Sequence, residues 1–406
     1  MWEIFKPHLR ILAFVTLLIF HGVEGGRGTM EKDLEVEAQL KLLNKPAIKT
    51  FQAKNGDVID CVDIYKQPAF DHPLLKNHTT QMRPSFSPAA FMKEGKDNGS
   101  LSQMWKENEV CPQGSVPILR VGKDDILRAN PITSFVKKSP NHNFSPDADQ
   151  RNQNAIERRV AYVSDQDMEY GRLFGGKVKL TLWRPGVENS NEFSEAKLWA
   201  INDNGPQIHA IQAEWSVNPG LFGNYDTRFF AYWTKDGYQS TGCYNLLCPG
   251  FIHTSNKYWF GATFDGFSTY EGEVKYMWIT ILKDSRKDGD WWLTYGGEPV
   301  GYWPVNIFEN GGLSEVATKI QFGGEVVNLR EGGRHTATKM GSGHFGYEGY
   351  AKGVAFEYIQ VANERGGFKD VRRVTYDYAD LTCYAGHFDN KHNFYFGGPG
   401  RSDTCP

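Results

Sequence analysis

Alternation of apolar and polar residues dominates the chain after residue 155 and constrains its fold more than any other feature. Seven runs show it: Lys177–Leu182, Ile208–Val217, Arg228–Trp233, Val274–Leu282, Trp291–Tyr295, Lys319–Val327 and Val354–Val361. A period of two is that of strands with one buried face. Tight-turn pairs such as Asn204-Gly205 and Asp236-Gly237 separate several runs. The pattern predicts an all-β fold, an antiparallel β-sandwich or jelly roll over residues 155–406.

The composition of the 406-residue chain supports this fold class and argues against one group of partners. Aromatic residues make up 14% of the chain and there are 43 glycines, which suits many strands joined by tight turns. The 45 basic and 48 acidic side chains nearly balance. Because such a chain has no strong positive field to hold a polyphosphate, we expect no nucleic-acid partner.

The N-terminus has the pattern of a secretory signal peptide. Lys6, His8 and Arg10 precede an apolar run over 11–20, and small residues follow it. A membrane anchor is the alternative, but a helix needs about twenty residues to span a bilayer, and this run is half as long. We therefore expect removal of residues 1–25, export to the extracellular space, apoplast or vacuole, and no membrane association afterwards.

Export bears on how the six cysteines are interpreted. An even number in an oxidising compartment favours disulfides. Among the 15 possible pairings, their grouping along the chain favours Cys61–Cys111, Cys243–Cys248 and Cys383–Cys405. A zinc site is the alternative, but the chain has no CxxC or HExxH motif, so no metal is expected. N-glycosylation sequons at Asn77, Asn98 and Asn143 also fit export.

The first third of the chain differs from the rest. Met30–Leu43 has the spacing of an amphipathic helix, with Val36, Leu40 and Leu43 on one side. Short alternating bursts at Val58–Tyr65 and Ile118–Val121 follow, interrupted by prolines. This indicates a small α+β module over 26–130. Residues 131–154, rich in Asn, Pro and Ser, are predicted to be a linker.

The sequence offers few groups for catalysis. It has no GxSxG motif, no cysteine left over if all six pair, and no glycine-rich loop between a strand and a helix, so no cofactor is expected. Carboxylates and carboxamides on strands remain. Gln212 and Glu214 share one face, as do Gln321 and Glu325 unless Gly323-Gly324 forms a bulge. A solvated polar face is the alternative interpretation of both pairs.

Several long sequence strings resemble the neprosin family of plant proteins. The family's activation domain is matched by Gly56-Asp57-Val58-Ile59-Asp60-Cys61-Val62 and Gln67-Pro68-Ala69-Phe70-Asp71-His72-Pro73, and its catalytic domain by Tyr232-Trp233-Thr234, Thr241-Gly242-Cys243-Tyr244-Asn245-Leu246, Gly301-Tyr302-Trp303-Pro304, Phe322-Gly323-Gly324-Glu325 and Met340-Gly341-Ser342-Gly343-His344-Phe345. Strings this long and in this order are highly specific.

The resemblance implies a secreted zymogen. An N-terminal prosegment would block the active groove of a β-sandwich, which carries a glutamic-peptidase site that cuts an extended peptide after proline in acid. Such chemistry needs one carboxylate as a general base for water and a second acid or amide for the oxyanion and the leaving amine. The aromatic residues Trp215, Trp233 and Tyr232 are expected to line the substrate groove.

The family's two catalytic glutamates correspond here to Gln212 and Gln321. Glutamine can donate or accept hydrogen bonds, but it cannot act as a base at any useful pH. Glu214 and Glu325 are the candidate replacement carboxylates on the same faces. A shift of two strand residues moves a side chain by roughly 6.6 Å, beyond hydrogen-bond reach of the original water position.

Two hypotheses follow from the sequence. In the first, the chain is a glutamic-type prolyl endopeptidase made as a zymogen, with Glu214 or Glu325 as a displaced base. In the second, it is a catalytically silent relative whose aromatic groove binds an extended peptide or a glycan in the cell wall. The presence of a carboxylate in the groove is the feature that separates them.

Overall fold

A computed structural model describes eleven stretches of the chain, namely residues 32–87, 110–128, 157–165, 172–284, 289–308, 311–329, 333–364, 367–371, 374–378, 381–389 and 393–406. For 157–165 and 374–378 it describes the backbone only. The predicted signal peptide, the predicted linker and the sequons at Asn98 and Asn143 lie outside these stretches. None of the described helices is long and apolar enough to cross a membrane.

The described strands are numbered in chain order. They are β1 (Ala47–Gln52), β2 (Val58–Asp63), β3 (Ser115–Leu119), β4 (Glu157–Asp165), β5 (Gly175–Thr181), β6 (Ser194–Asn202), β7 (His209–Val217), β8 (Thr227–Thr234), β9 (Cys243–Tyr244), β10 (Ile252–His253), β11 (Tyr276–Lys283), β12 (Trp291–Tyr295), β13 (Glu298–Trp303), β14 (Lys319–Asn328), β15 (Val354–Ala362), β16 (Phe368–Asp370), β17 (Val374–Tyr378), β18 (Ala385–Phe388) and β19 (Phe394–Gly397).

The helices among the described residues are few and short by comparison. The α-helices are α1 over residues 32–43, α2 (Lys123–Arg128) and α3 (Pro219–Phe222). Short 3-10 helices lie at Pro68–Asp71, Pro73–Leu75, Val305–Phe308, Gly312–Ser314 and Gly346–Glu348. The predicted helix Met30–Leu43 is confirmed over residues 32–43.

Two antiparallel sheets stack to form a β-sandwich, which confirms the predicted fold class. One sheet has seven strands in the order β17-β4-β14-β6-β7-β8-β9. The other has nine, in the order β10-β13-β12-β11-β5-β15-β19-β18, with β16 beside β15. Each of the seven runs predicted from alternation coincides with a strand to within two residues at either end. Strand β6 was not predicted, although it lies at the centre of the seven-stranded sheet.

The core between the sheets is rich in aromatic residues. Trp215 and Phe322 from the seven-stranded sheet are fully buried there, with Phe396, Trp291 and Trp303 from the nine-stranded sheet. Gly324 allows the sheets to approach, since a Cβ at this position would lie 2.1 Å from the Phe396 ring. The Gly323-Gly324 pair produces no bulge, because β14 keeps an unbroken register with both β4 and β6.

The described residues before position 129 form the N-terminal segment, a small α+β unit as predicted. Its sheet has the order β1-β2-β3. The Asn44 side chain ties the end of α1 to this sheet, because Nδ2 donates to the Val121 carbonyl and Oδ1 accepts from the Val121 N–H, both at 2.9 Å. Two 3-10 helices follow β2, and α2 follows β3.

The three predicted disulfides, Cys61–Cys111, Cys243–Cys248 and Cys383–Cys405, are all confirmed, and no cysteine is free. The first lies within the N-terminal segment and the other two lie within the sandwich. No disulfide therefore joins the two parts. A single cut in residues 129–156, which connect them, leaves only noncovalent contacts to hold the segment.

Candidate active site

The two glutamines predicted at the catalytic positions lie in one row across the seven-stranded sheet. Gln321 on β14 is opposite Trp199 on β6, and Trp199 is opposite Gln212 on β7. Tyr232 on β8 is opposite Gln212, and we call the residues from Gln321 to Tyr232 the glutamine row. Residues directly opposite one another on neighbouring strands point to the same face. The two glutamines thus flank Trp199, with Cα atoms roughly 10 Å apart, two strand spacings.

Two further rows follow along the same face of the sheet, which we call the outer face because it is turned away from the sandwich core. The lysine row consists of Gly323, Lys197, Glu214 and Phe230. The arginine row consists of Glu325, Glu195, Ser216 and Arg228. Successive rows are about 6.6 Å apart along the strands. The outer face therefore combines amide, acidic and basic groups in a small area.

Gln212 and Glu214 form a hydrogen-bonded pair. Nε2 of Gln212 donates to Oε2 of Glu214 at 2.8 Å. Only the NH2 end of the amide can donate to a carboxylate, so this bond fixes the orientation of the Gln212 amide. Its Oε1 atom is buried and has no hydrogen-bond partner among the described residues. An amide oxygen without a partner can accept a hydrogen bond from a backbone N–H of a bound peptide.

Glu325 takes part in a buried ion cluster centred on Lys197. The Lys197 ammonium forms salt bridges with both Glu195 and Glu325, and it lies 4.1 Å from the centre of the Trp199 ring. All three charged side chains are at most 2% exposed. Glu325 is also four residues from Gln321, roughly 13 Å along the strand. Its carboxylate is committed to Lys197 and is too far away to replace a base at position 321.

The expectation that Trp215 and Trp233 line the groove is wrong, because strand alternation places both on the opposite face of the sheet from Gln212. Both belong to the core between the sheets, and Nε1 of Trp215 donates to the Thr181 carbonyl at 3.0 Å. Tyr232 does lie on the outer face, in the glutamine row. The aromatic residues beside the glutamines are therefore Tyr232 and Trp199, and Trp199 was not predicted.

The outer face is covered in the full chain, so the alternative of a solvated polar face is wrong. Gln212 and Glu214 are fully buried, Glu325 is 2% exposed and Gln321 is 6% exposed. The N-terminal segment covers the aromatic part of this face. The apolar stripe of α1 (Val36, Leu40 and Leu43) and the segment residues Val121 and Ile126 share one apolar cluster with Trp199, Phe230, Tyr232, Tyr238 and Tyr244.

Other residues of the N-terminal segment contact the sandwich at places further away from the glutamines. Both ends of the Gln67 amide bond the backbone of His253 on β10, with Nε2 donating at 3.0 Å and Oε1 accepting at 2.7 Å. The backbone of Cys111 is held from both sides by Asn256, at 2.9 and 3.0 Å. His78 lies 2.9 Å from the Tyr302 hydroxyl, and burial lowers the pKa of its imidazole. The segment is thus anchored at several separate points.

Five polar or aromatic residues of the outer face or its cover were missed at the sequence level: Glu195, Lys197, Trp199, Arg228 and Asp57. A signal was present for the first three. In Ser194–Asn202 the polar and aromatic residues Glu195, Lys197 and Trp199 alternate with alanine and leucine. Trp199 is itself apolar, so the end of the run, Trp199-Ala200-Ile201, shows no alternation and the strand pattern is harder to recognise. No local signal pairs Arg228 with Asp57, which lie 171 positions apart.

Comparison with known families gives two matches. Residues 190–399 match the family described as Neprosin, and residues 50–163 match the Neprosin activation peptide. The first match alone covers more than half of the chain.

The chain belongs to the neprosin family.

In this neprosin-family chain, the Neprosin match begins just before β6 and contains all three rows of the outer face. The activation-peptide match contains most of the N-terminal segment and ends inside β4, a strand of the seven-stranded sheet. The predicted boundary near residue 154 stays a prediction.

Some solved structures of peptidases are loosely similar. Scytalido-glutamic peptidase with a transition state analog inhibitor is 9% identical, with 60% of this chain and 99% of that chain covered and a TM-score of 0.35. SCP-B, a member of the Eqolisin family of peptidases, in a complex with the tripeptide Ala-Ile-His, is 10% identical, with 60% and 97% covered and a TM-score of 0.28. Similarity at this level gives no information about the chemistry of the site.

Proposed function

We propose that the chain is a secreted proprotein whose N-terminal segment masks a peptide-binding groove, and that the groove binds an extended, proline-containing peptide with weak or absent cleavage. The observation that carries this proposal is the pair of carboxamides in the glutamine row. At the two positions where the neprosin resemblance implies glutamates, Gln212 and Gln321 can hold a peptide through hydrogen bonds but cannot take a proton from water.

The surroundings of the glutamines support binding. The surface under α1 is aromatic, with Trp199 and Tyr232 in the glutamine row and Phe230 in the next row. Flat aromatic faces bury a large area and suit the ring of proline in an extended peptide. The amides of Gln212 and Gln321 can pair with the backbone of such a peptide. A binding groove of this kind needs no proton transfer.

Masking by the N-terminal segment is supported by its contacts and by the disulfide pattern. The segment contributes Val36 and Val121 to the cluster around Trp199. Since no disulfide links it to the sandwich, a cut in residues 129–156 leaves it able to dissociate. The signal-like N-terminus, the disulfides and the exposed sequon at Asn77 support passage through an oxidising secretory route to the extracellular space, apoplast or vacuole.

A peptide-binding experiment tests this proposal. The full chain is cut within residues 129–156 by an added protease, release of the N-terminal segment in acid is followed by gel filtration, and a fluorescent proline-containing peptide is added. The proposal predicts saturable binding after segment release and little binding before it, with the peptide recovered intact by mass spectrometry. A form that has lost its segment and still does not bind the peptide would sink the proposal. An oligosaccharide added as competitor tests a glycan as the ligand instead.

The Gln212 to Glu214 hydrogen bond supports a second candidate function, an endopeptidase with a displaced base. Here the Glu214 carboxylate takes a proton from water, and the hydroxide attacks the peptide carbonyl. The Gln321 amide donates a hydrogen bond to the oxyanion, and Glu214 returns the proton to the leaving amine. Under this alternative, Glu214→Gln abolishes cleavage, whereas the exposed control Glu271→Gln leaves it unchanged. Cleavage that survives Glu214→Gln excludes Glu214 as the base.

A further inference from the structure

The guanidinium of Arg228 lies at the end of the outer face, in the arginine row, and is 1% exposed in the full chain. Residues of the sandwich hold it in place. One nitrogen, Nη1, donates to the Gly261 carbonyl at 2.6 Å, and the guanidinium carbon lies 4.6 Å from the centre of the Phe222 ring. Its Nε–H is buried and has no acceptor among the described residues. The sandwich therefore fixes the position of this cation without neutralising it fully.

One carboxylate of the sandwich, that of Asp226, lies near Arg228 but interacts more closely with Arg184. Asp226 is 3.9 Å from Nη2 of Arg228, at the limit of an ion pair. The same carboxylate accepts a hydrogen bond from Arg184 at 3.0 Å, and both of those side chains are partly exposed to solvent. Asp226 thus contributes only weakly to the neutralisation of Arg228.

The close carboxylate on Arg228 comes from the N-terminal segment. Asp57 receives two hydrogen bonds from the guanidinium, from Nη1 at 2.5 Å and from Nη2 at 3.2 Å. A turn of residues 53–57 presents it, closed by the Ala53 N–H to the Asp57 carbonyl at 2.8 Å. Gly56, with a φ of +93°, permits this turn, and Asn55 Nδ2 donates to Asp57 at 2.7 Å. Asp57 is thus held in place before it meets Arg228.

We infer that Arg228 is a carboxylate-binding subsite of the peptide groove, filled by Asp57 in the full chain and by a ligand carboxylate once the N-terminal segment departs. A bidentate guanidinium is matched to the planar geometry of a carboxylate. Departure of Asp57 leaves this cation without its close counter-ion, although Gly261 and Phe222 still fix its position. A buried or partly buried cation that has lost its counter-ion binds an anionic partner favourably, because its charge is otherwise only partly neutralised.

The position of Arg228 defines where the carboxylate of a peptide would lie. Gln212 and Ser216 are four residues apart on β7, and Arg228 is opposite Ser216 on β8. This places Arg228 roughly 13 Å along the strands from the glutamine row. An extended peptide covers that distance in about four residues. The ligand class is therefore a peptide with an Asp or Glu side chain, or a free C-terminus, about four residues from the part held by Gln212 and Gln321.

This inference rests on the proposed peptide groove, and a small carboxylate tests it separately from peptide binding. In the full chain, Asp57→Ala removes the native carboxylate and leaves space beside Arg228. Thermal unfolding is measured at neutral pH in sodium acetate and in sodium chloride of equal ionic strength. We expect acetate to raise the Tm of Asp57→Ala by about 2–4 °C over chloride. Wild type and the space-filling control Asp57→Asn are expected to show no such rise.

The double variant Asp57→Ala with Arg228→Gln is expected to lose the acetate effect. If it does not fold, Asp57→Ala with Arg228→Lys is used, and a smaller rise is expected because lysine lacks the bidentate geometry. The inference is overturned if acetate and chloride act equally on Asp57→Ala. It is also overturned if the acetate effect is undiminished after Arg228 is changed.

Peptides then identify the source of the carboxylate. Blocked peptides that differ only by Glu or Gln are titrated onto the chain freed of its N-terminal segment, and therefore of Asp57, together with the Gln peptide carrying a free C-terminus. We expect the Glu peptide or the free terminus to bind at least about tenfold more tightly than the neutral peptide. Equal binding of all three overturns the subsite and leaves the proposed groove intact. An acetate effect without binding of any peptide supports the subsite and contradicts the proposed function.

Discussion

Gln212 donates a 2.8 Å hydrogen bond to Glu214, two residues further along the same buried strand. This bond joins an amide to a carboxylate and would be lost if position 212 carried the glutamate implied by the neprosin resemblance in its ionised form. Two carboxylates at this spacing in a buried place cannot both be ionised cheaply. An amide at position 212 therefore lets Glu214 ionise without the repulsion that a second carboxylate at position 212 would cause.

Gln212→Glu is predicted to make stability depend on pH. The new carboxyl beside Glu214 has its folded pKa raised above the unfolded value, since burial and a like charge both oppose ionisation. Such a group contributes stability that is complete below the unfolded pKa and is lost as pH rises through the folded pKa. Urea unfolding at pH 4 and pH 7 should show the variant losing stability relative to wild type at the higher pH. The matched control is Gln321→Glu, whose opposite neighbours on the adjacent strands, Trp199 and Ser164, carry no charge, and equal pH dependence of both variants would contradict the argument.

Lys197→Met is predicted to destabilise the chain strongly. The substitution leaves the buried carboxylates of Glu195 and Glu325 without the ammonium that bridges them. Breaking a buried ion pair in this way costs about 3–5 kcal/mol. Chemical denaturation measures the loss, and the triple variant that adds Glu195→Gln and Glu325→Gln should recover much of it. If the triple variant is no more stable than Lys197→Met, the charge argument is wrong and packing of the lysine stem explains the loss.

His253 is predicted to make acid destabilise the full chain. Burial lowers the pKa of its imidazole to about 4 from an ordinary value of 6.5. The neutral form is favoured in the folded state, so its contribution is complete above pH 6.5 and is lost as pH falls to about 4. The pKa difference corresponds to about 3 kcal/mol. His253→Gln, which keeps a donor for the Tyr258 carbonyl, should flatten the stability profile between pH 6.5 and 4, and an unchanged profile would remove His253 as its cause.

The disulfides are predicted to differ in their contribution to stability because they close loops of different length. Cys61–Cys111 spans 50 residues and Cys243–Cys248 spans 5. Loop-closure entropy gives about 4 kcal/mol for the first and about 2 kcal/mol for the second. Paired alanine substitutions of each bridge, compared by denaturant unfolding, should show the larger loss for the first. The opposite order would mean that local packing, and not chain entropy, dominates.

Much of the fold was predictable because it depends on local periodicity. The seven alternating runs each have a period of two, and the stripe of Val36, Leu40 and Leu43 has that of a helix. Strand β6 escaped because its alternation ends in Trp199, Ala200 and Ile201, which read as a continuous apolar stretch. That single omission hid Lys197 and Trp199 from the predicted site.

The candidate site was predictable only in part. Alternation placed Gln212 with Glu214 and Gln321 with Glu325, and the structure confirms both shared faces. The assignment of Trp215 and Trp233 to the groove was wrong because it did not follow the same alternation, which places Trp215 on the opposite face from Gln212 on β7 and Trp233 on the opposite face from Tyr232 on β8. The contact of Asp57 with Arg228 depends on how the N-terminal segment docks, which no local pattern encodes.

Hydrolysis of a proline-containing peptide at acidic pH, at equal concentrations of peptide and protein, tests the central claim most directly. The wild-type chain, freed of its N-terminal segment, is compared with the variant carrying both Gln212→Glu and Gln321→Glu, and fragments are counted by mass spectrometry. The account predicts that the wild type leaves the bound peptide intact while the double variant produces fragments. Fragments formed by the wild type as fast as by the double variant would contradict it.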